Sequence, residues 1–204
     1  MKKTVKKKLL SYSYIFSLGI LSSFSLPPYN FFLINFFTFS ALFIFFVKEK
    51  FSLSKKEYFL NGWIFGFGYF MSGLYWITIS LTFDQEFKIL IPIVFFLIPL
   101  FLGIFYGLAT YFFNYFKKFS NISLVLAFSS LISILEYLRG NILSGFPWNL
   151  ISFSFSDFSY LLQTLSLIGT YSFNLLCLTL FILPSLFYLK KNKYDIYFIV
   201  SFGL

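Results

Sequence analysis

ILIPIVFFLIPLFLGIFYGLATYFFNYF, from Ile89 to Phe116, runs without one charged residue. At 1.5 Å per residue an α-helix needs about 20 apolar residues to cross a hydrocarbon layer of about 30 Å. This stretch has residues to spare, so it must tilt, kink or project past the head groups. Working outward, further apolar runs lie at about 9 to 26, 30 to 47, 59 to 82, 121 to 138 and 160 to 189, and another opens near Tyr194. Each of the five reaches membrane-crossing length. The composition agrees: 59% of the chain is hydrophobic, 11% is charged, and 35 of its 204 residues are Phe. That leaves too little polar surface to cover a soluble globule, and it excludes disordered and collagen-like chains. The expected fold class is all-α integral membrane, a multi-pass helical bundle of about six complete spans plus a truncated seventh. Because the last run reaches Leu204 after only about half a bilayer, residues 1–204 are expected to be the N-terminal membrane domain of a longer protein.

The ends of the chain and the loops set an orientation. Lys2, Lys3, Lys6, Lys7 and Lys8 precede the first run as the basic region of a signal peptide would. That run is longer than a signal core and ends in Leu26-Pro27-Pro28-Tyr29 without small cleavage-site residues, so it is expected to be retained as the first span. Counting along the chain, the remaining lysines of the same side are Lys48, Lys50, Lys55, Lys56, Lys117, Lys118, Lys190, Lys191 and Lys193. The opposite side holds only Lys88 and Arg139. By the positive-inside rule the N terminus is cytoplasmic. Asp84, Glu86, Glu136 and Asp157 make the outer loops net negative. The formal charge of +9 is therefore answered by topology and by anionic inner-leaflet lipid, and no nucleic-acid partner is implied.

The absence of His and the single Cys, Cys177, exclude imidazole catalysis, disulfide frameworks and Cys or His metal sites. No cofactor and no metal are implied. The least hydrocarbon-like tract is Leu135-Glu136-Tyr137-Leu138-Arg139-Gly140-Asn141-Ile142-Leu143-Ser144-Gly145-Phe146-Pro147-Trp148-Asn149, at the outer end of the fifth run. Glu136 and Arg139 are three apart, so on a helix they share a face and can pair. One reading makes this pair an intrahelical clip, with Gly140 as the helix stop and Trp148 in the aromatic belt. The other turns Arg139, the only Arg beside fifteen Lys, outward, where its planar donor fork suits a lipid phosphate. Gly62-x-x-x-Gly66 and Gly103-x-x-x-Gly107 are small-residue pairs expected to let helices approach closely. Asn114 and Gln163 read as interhelical or interfacial hydrogen-bonders, Cys177 as a small hydrophobe, and Asp84 with Glu86 as a solvated loop. Ser152-Phe153-Ser154-Phe155-Ser156-Asp157-Phe158 alternates with period two, which predicts a short extended or interfacial loop with its Phe rings in the head-group zone.

Taken in order, several motifs resemble the membrane domain of bacterial apolipoprotein N-acyltransferases. They are Pro27-Pro28-Tyr29-Asn30, then Gly62-Trp63-x-x-Gly66-x-Gly68-Tyr69-Phe70-x-x-Gly73-x-x-Trp76-Ile77, then Glu136-x-x-Arg139-Gly140 with Gly145-Phe146-Pro147-Trp148, then Gln163, Gly169-x-Tyr171 and Lys190-Lys191-Asn192. The family usually has a Gly-Tyr-Ser-like stretch after the Pro-Trp turn, where this chain has Ser152-Phe153-Ser154-Phe155. The resemblance implies transfer of an acyl chain from a phospholipid donor, through a thioester, to the N-terminal diacylglyceryl-cysteine of a lipoprotein acceptor. In the family a Glu-Lys-Cys triad in a periplasmic nitrilase-like domain does this chemistry. That domain would follow residue 204, so no catalytic residue is assigned here and the fragment alone is expected to be inactive. Glu136, Arg139, Pro147 and Trp148 are the expected substrate-binding residues, lining a lateral opening to the bilayer. The competing reading is a noncatalytic multi-pass scaffold or small transporter. It is disfavoured because the central turns carry almost no polar residue beyond Asn and Ser.

Overall fold

The computed structural model describes residues 2–143, 145–189 and 193–202. The Lys190-Lys191-Asn192 loop, Ser144 and the last two residues lie outside the described residues. Those described are mostly helical, and no strand occurs among them. In chain order the helices are α1 (Lys2–Ser23), α2 (Ile34–Lys48), α3 (Lys55–Gly73), α4 (Ile77–Ser80), α5 (Ile91–Phe113), α6 (Asn121–Asn141), α7 (Ser159–Ile168), α8 (Thr170–Ile182), α9 (Pro184–Leu189) and α10 (Lys193–Phe202).

Three helical stretches are long and apolar enough to cross a membrane: Glu86–Phe116, Asn121–Asn141 and Thr170–Leu189. The first contains α5 and has a mean hydropathy of 2.7, yet only 28% of its most apolar window is buried inside the protein. Ile93, Phe96, Leu97, Phe101, Ile104 and Phe112 all face outward from it. A helix that is apolar all round and turned outward requires lipid, not water, as its solvent. This is a membrane protein.

Several apolar runs are subdivided. The second is helical only from Ile34, because Asn30 takes a left-handed φ of 53° and a chain of turns occupies Phe24 to Asn35. Its 15-residue helix is shorter than a full crossing. The third run breaks after Gly73, before the single turn of α4. The sixth is two helices joined at Gly169, whose φ of 80° stops α7 and starts α8. The period-two segment is not extended: Ile151–Phe155 forms a 3-10 turn with Ile151, Ser152, Ser154 and Phe155 buried. Alternation of Ser and Phe fits that turn because its small hydroxyls can bond back to the chain, as Ser154 does to the Ile151 carbonyl at 2.7 Å.

Helix α3 is the hub, packed between α1 and α5. Glycines set the distance. A Cβ on Gly66 would lie 2.9 Å from the Cα of Gly103, and one on Gly68 would lie 2.5 Å from the Phe16 carbonyl oxygen. These backbones are close enough to exclude any side chain, as the small-residue pairs predict. Above the glycines an aromatic core fills the bundle, with Phe43, Phe46, Tyr58, Phe113 and Phe128 in mutual ring contact.

The two ends of the bundle differ chemically. At one, Lys8 pairs with Glu57 at 2.7 Å, Lys55 donates to the Tyr115 hydroxyl at 3.1 Å, and Lys48 donates to the Tyr188 hydroxyl. Ser54 and Glu57 there form a reciprocal capping box on α3. At the other end Asn30 donates to Asp157 at 2.7 Å, and the Tyr69 hydroxyl donates to the Asn149 carbonyl at 3.0 Å. Lys8, Lys48 and Lys55 thus share one end, and the Glu136–Trp148 tract stands at the other.

Candidate functional site

Helix α6 starts at Ser120, whose hydroxyl caps the Ser123 N–H. Its buried stripe runs through Val125, Ser129, Ile132, Glu136 and Arg139. That 3.6-residue periodicity carries two ionisable side chains into the core at the last turns of the helix. Both are 1% exposed. Burial of this kind is costly unless every charge is answered, so the partners decide what the site is.

Glu136 and Arg139 share a face but do not form the expected ion pair. The Glu136 carboxylate accepts from the Tyr106 hydroxyl at 2.7 Å and from the Asn174 side-chain amide. Asn174 in turn accepts the backbone N–H of Ser152 at 2.9 Å. One carboxylate therefore ties α5, α6, α8 and the 3-10 turn together. Arg139 extends the other way. Its Nη1 donates to the carbonyl of Phe146 at 2.8 Å and to that of Trp148 at 2.7 Å, while the guanidinium lies 5.0 Å from the Phe70 ring centre. Arg139 therefore does not face outward: its Nη1 is engaged by the protein's own turn beneath the Phe70 ring, while Nε and Nη2 are buried without a hydrogen-bond partner.

Gly140 does not stop the helix. It sits one residue before the end of α6, where a Cβ would lie 1.9 Å from the Tyr171 hydroxyl. The reversal is made further on. Leu143 and Gly145 adopt positive φ, the Gly145 N–H bonds Ile142, and the Phe146 N–H returns to the Arg139 carbonyl at 2.9 Å. Arg139 therefore grips the turn through both its backbone and its side chain. Pro147 and Trp148 are left at the surface, Trp148 being 56% exposed. The Trp148 ring meets that of Trp76 edge to face at 6.3 Å, so the turn and the segment after α3 present a joint indole surface.

Of the predicted residues, Glu136 and Arg139 are the buried supports, and Pro147 with Trp148 form the surface they hold. Sequence reasoning missed Tyr106 and Asn174 because each is one polar residue in an apolar helix, with nothing local to mark its partner. Tyr69 and Phe70 stood within a quoted motif, and both prove to face the turn. Gln163 lies exposed on α7, Asn114 is buried near Lys117, and Cys177 is buried in α8. Among the described residues no cluster of three or more His, Cys, Asp or Glu side chains could hold a metal ion. Chemically, the arrangement holds and orients. It fixes a turn and presents indoles at an apolar surface.

The family model described as "Apolipoprotein N-acyltransferase N-terminal domain" matches residues 18–183, a span that contains both supports and the turn. The chain belongs to that family. It is 31% identical over 177 residues to the apolipoprotein N-acyltransferase of Rhizobium etli, covering 83% of this chain and 33% of that protein. It is 38% identical over 156 residues to that of Rickettsia prowazekii, covering 76% of this chain and 30% of the relative. With that of Agrobacterium fabrum the identity is 31% over 182 residues, 85% of this chain and 34% of the relative. The match spans about a third of the length of these acyltransferases and corresponds to the family's N-terminal membrane domain.

Proposed function

We propose that residues 1–204 serve as the membrane half of an enzyme that moves an acyl chain from a phospholipid to the N-terminal diacylglyceryl-cysteine of lipoproteins. In this reading the chain lies in the cell inner membrane with its N terminus in the cytoplasm. Six crossings are made by α1, α2 with the turns that precede it, α3 with α4, α5, α6, and α8 with α9. Helix α10 opens a seventh, and α7 rests in the outer head-group layer. A nitrilase-like domain carrying the catalytic residues follows on the outer side.

The role of this half is to hold a lateral opening for two lipid-borne substrates. Glu136 and Arg139 organise it from inside, and Pro147 and Trp148 line it. The reading is carried by one observation: the guanidinium of Arg139 grips both carbonyls of the Phe146–Trp148 turn, leaving the Trp76–Trp148 pair exposed. A buried polar network rigid enough to fix an exposed indole is what a recognition surface in a membrane requires. The test is acyl transfer to a diacylglyceryl-lipoprotein. Purified residues 1–204 should give none, whereas a protein that also carries the following domain should. In that longer protein Arg139→Lys should lower transfer, since a lysine is shorter and lacks the planar guanidinium that lies over the Phe70 ring while its Nη1 reaches both carbonyls. Unchanged transfer contradicts the role given to Arg139.

A further inference from the structure

At the lysine-bearing end, away from the Arg139 turn, a cavity of about 480 Å³ opens between α1, the α2–α3 connection and the first turns of α3. We propose that it holds a membrane phospholipid whose head group carries a primary ammonium. The site is argued from its own residues and does not depend on which end of the bundle faces the cytoplasm.

The lining has two chemical zones. The polar zone contains Lys8, Glu49, Glu57 and Asn61, and the apolar zone includes Leu10 and Tyr14. Leu10 and Tyr14 are themselves largely exposed on α1, so the apolar wall continues toward lipid. An occupant must therefore be amphiphilic, and the volume falls in the range of about 300 to 1,000 Å³ typical of ligand sites.

The polar zone selects the head group. Asn61 is 1% exposed, and its side-chain N–H donates to the Glu57 carbonyl at 2.6 Å. Its other amide atom, Oδ1, is buried without any partner. A buried acceptor left without a donor is destabilising until one arrives, so the occupant must donate. Glu49 and Glu57 both line the cavity, so a cationic donor suits it. Glu49 accepts from the Ser52 hydroxyl, which leaves acceptor capacity on its carboxylate. Lys8, bound to Glu57, keeps further N–H groups on its ammonium for a phosphate. A choline head group offers no N–H, and a glycerol head group donates but adds net negative charge beside two carboxylates. A primary ammonium on a phosphodiester satisfies both requirements.

The experiment is native mass spectrometry of purified residues 1–204 equilibrated with mixed micelles of equimolar phosphatidylethanolamine, phosphatidylcholine and phosphatidylglycerol. Phosphatidylethanolamine should be retained about five-fold over either competitor, the scale of one charge-assisted hydrogen bond at a partly solvated site. Glu49→Gln, a change in an exposed connection, should reduce that ratio toward one while the melting temperature holds. Asn61→Leu should do the same. If Asn61→Leu fails to fold, Glu49→Gln alone decides. Equal retention of the three lipids, preference for phosphatidylglycerol, or a preference that survives Glu49→Gln overturns the proposal.

Discussion

The two ends of this bundle handle charge in opposite ways. At the lysine-bearing end the Lys8–Glu57 pair lies in the open, with the lysine side chain 57% exposed. At the other end Glu136 and Arg139 are buried and bind uncharged groups instead of each other. Exposed charges are cheap and record sidedness. Buried charges are expensive, so each must fix something that apolar packing cannot. Here they fix a reversal of the chain, two of whose carbonyls accept from Arg139.

Substitutions sharpen the contrast. Arg139→Ala should have the largest effect, removing the donor to two carbonyls of the turn and costing about 3 kcal/mol, read as detergent-solubilised thermal unfolding. It should also raise protease cleavage between 142 and 149. Gly140→Ala comes next, at about 2 kcal/mol, because the added methyl meets the Tyr171 hydroxyl. Tyr171→Phe should restore much of that loss. Full additivity of the two changes would show that the clash is elsewhere. Glu136→Gln should cost about 1 kcal/mol, since an amide still accepts from Tyr106 but must turn a donor toward Asn174. Lys8→Ala should leave unfolding unchanged within error, as exposed pairs contribute little. A Lys8→Ala loss as large as that of Arg139→Ala would abolish the distinction between the ends.

How much of this was legible in the chain depends on whether the governing interaction is local. Helical class and membrane solvent follow from the run at Ile89–Phe116, and the shared face of Glu136 and Arg139 follows from their spacing. The close approach of α3 and α5 followed from paired glycines. What sequence spacing could not supply were partners from distant elements. Tyr106 and Asn174 reach Glu136 across 30 and 38 residues. Expecting a Glu136–Arg139 pair was reasonable for a surface helix, but in the core Glu136 binds Tyr106 and Asn174, and Arg139 binds two carbonyls through Nη1 alone. The break at Gly169 was hidden because a lone glycine within a long apolar run does not by itself mark a helix end. Only the positive φ of that glycine separates α7 from α8.

The central claim is that the gripped turn meets the outer face of the membrane, opposite the lysines. The most direct measurement places a thiol at Trp148 by Trp148→Cys in a Cys177→Ser background and treats intact spheroplasts with a membrane-impermeant maleimide. The account predicts labelling from outside, with protection in inverted vesicles. Labelling of inverted vesicles alone would put the turn in the cytoplasm and contradict it.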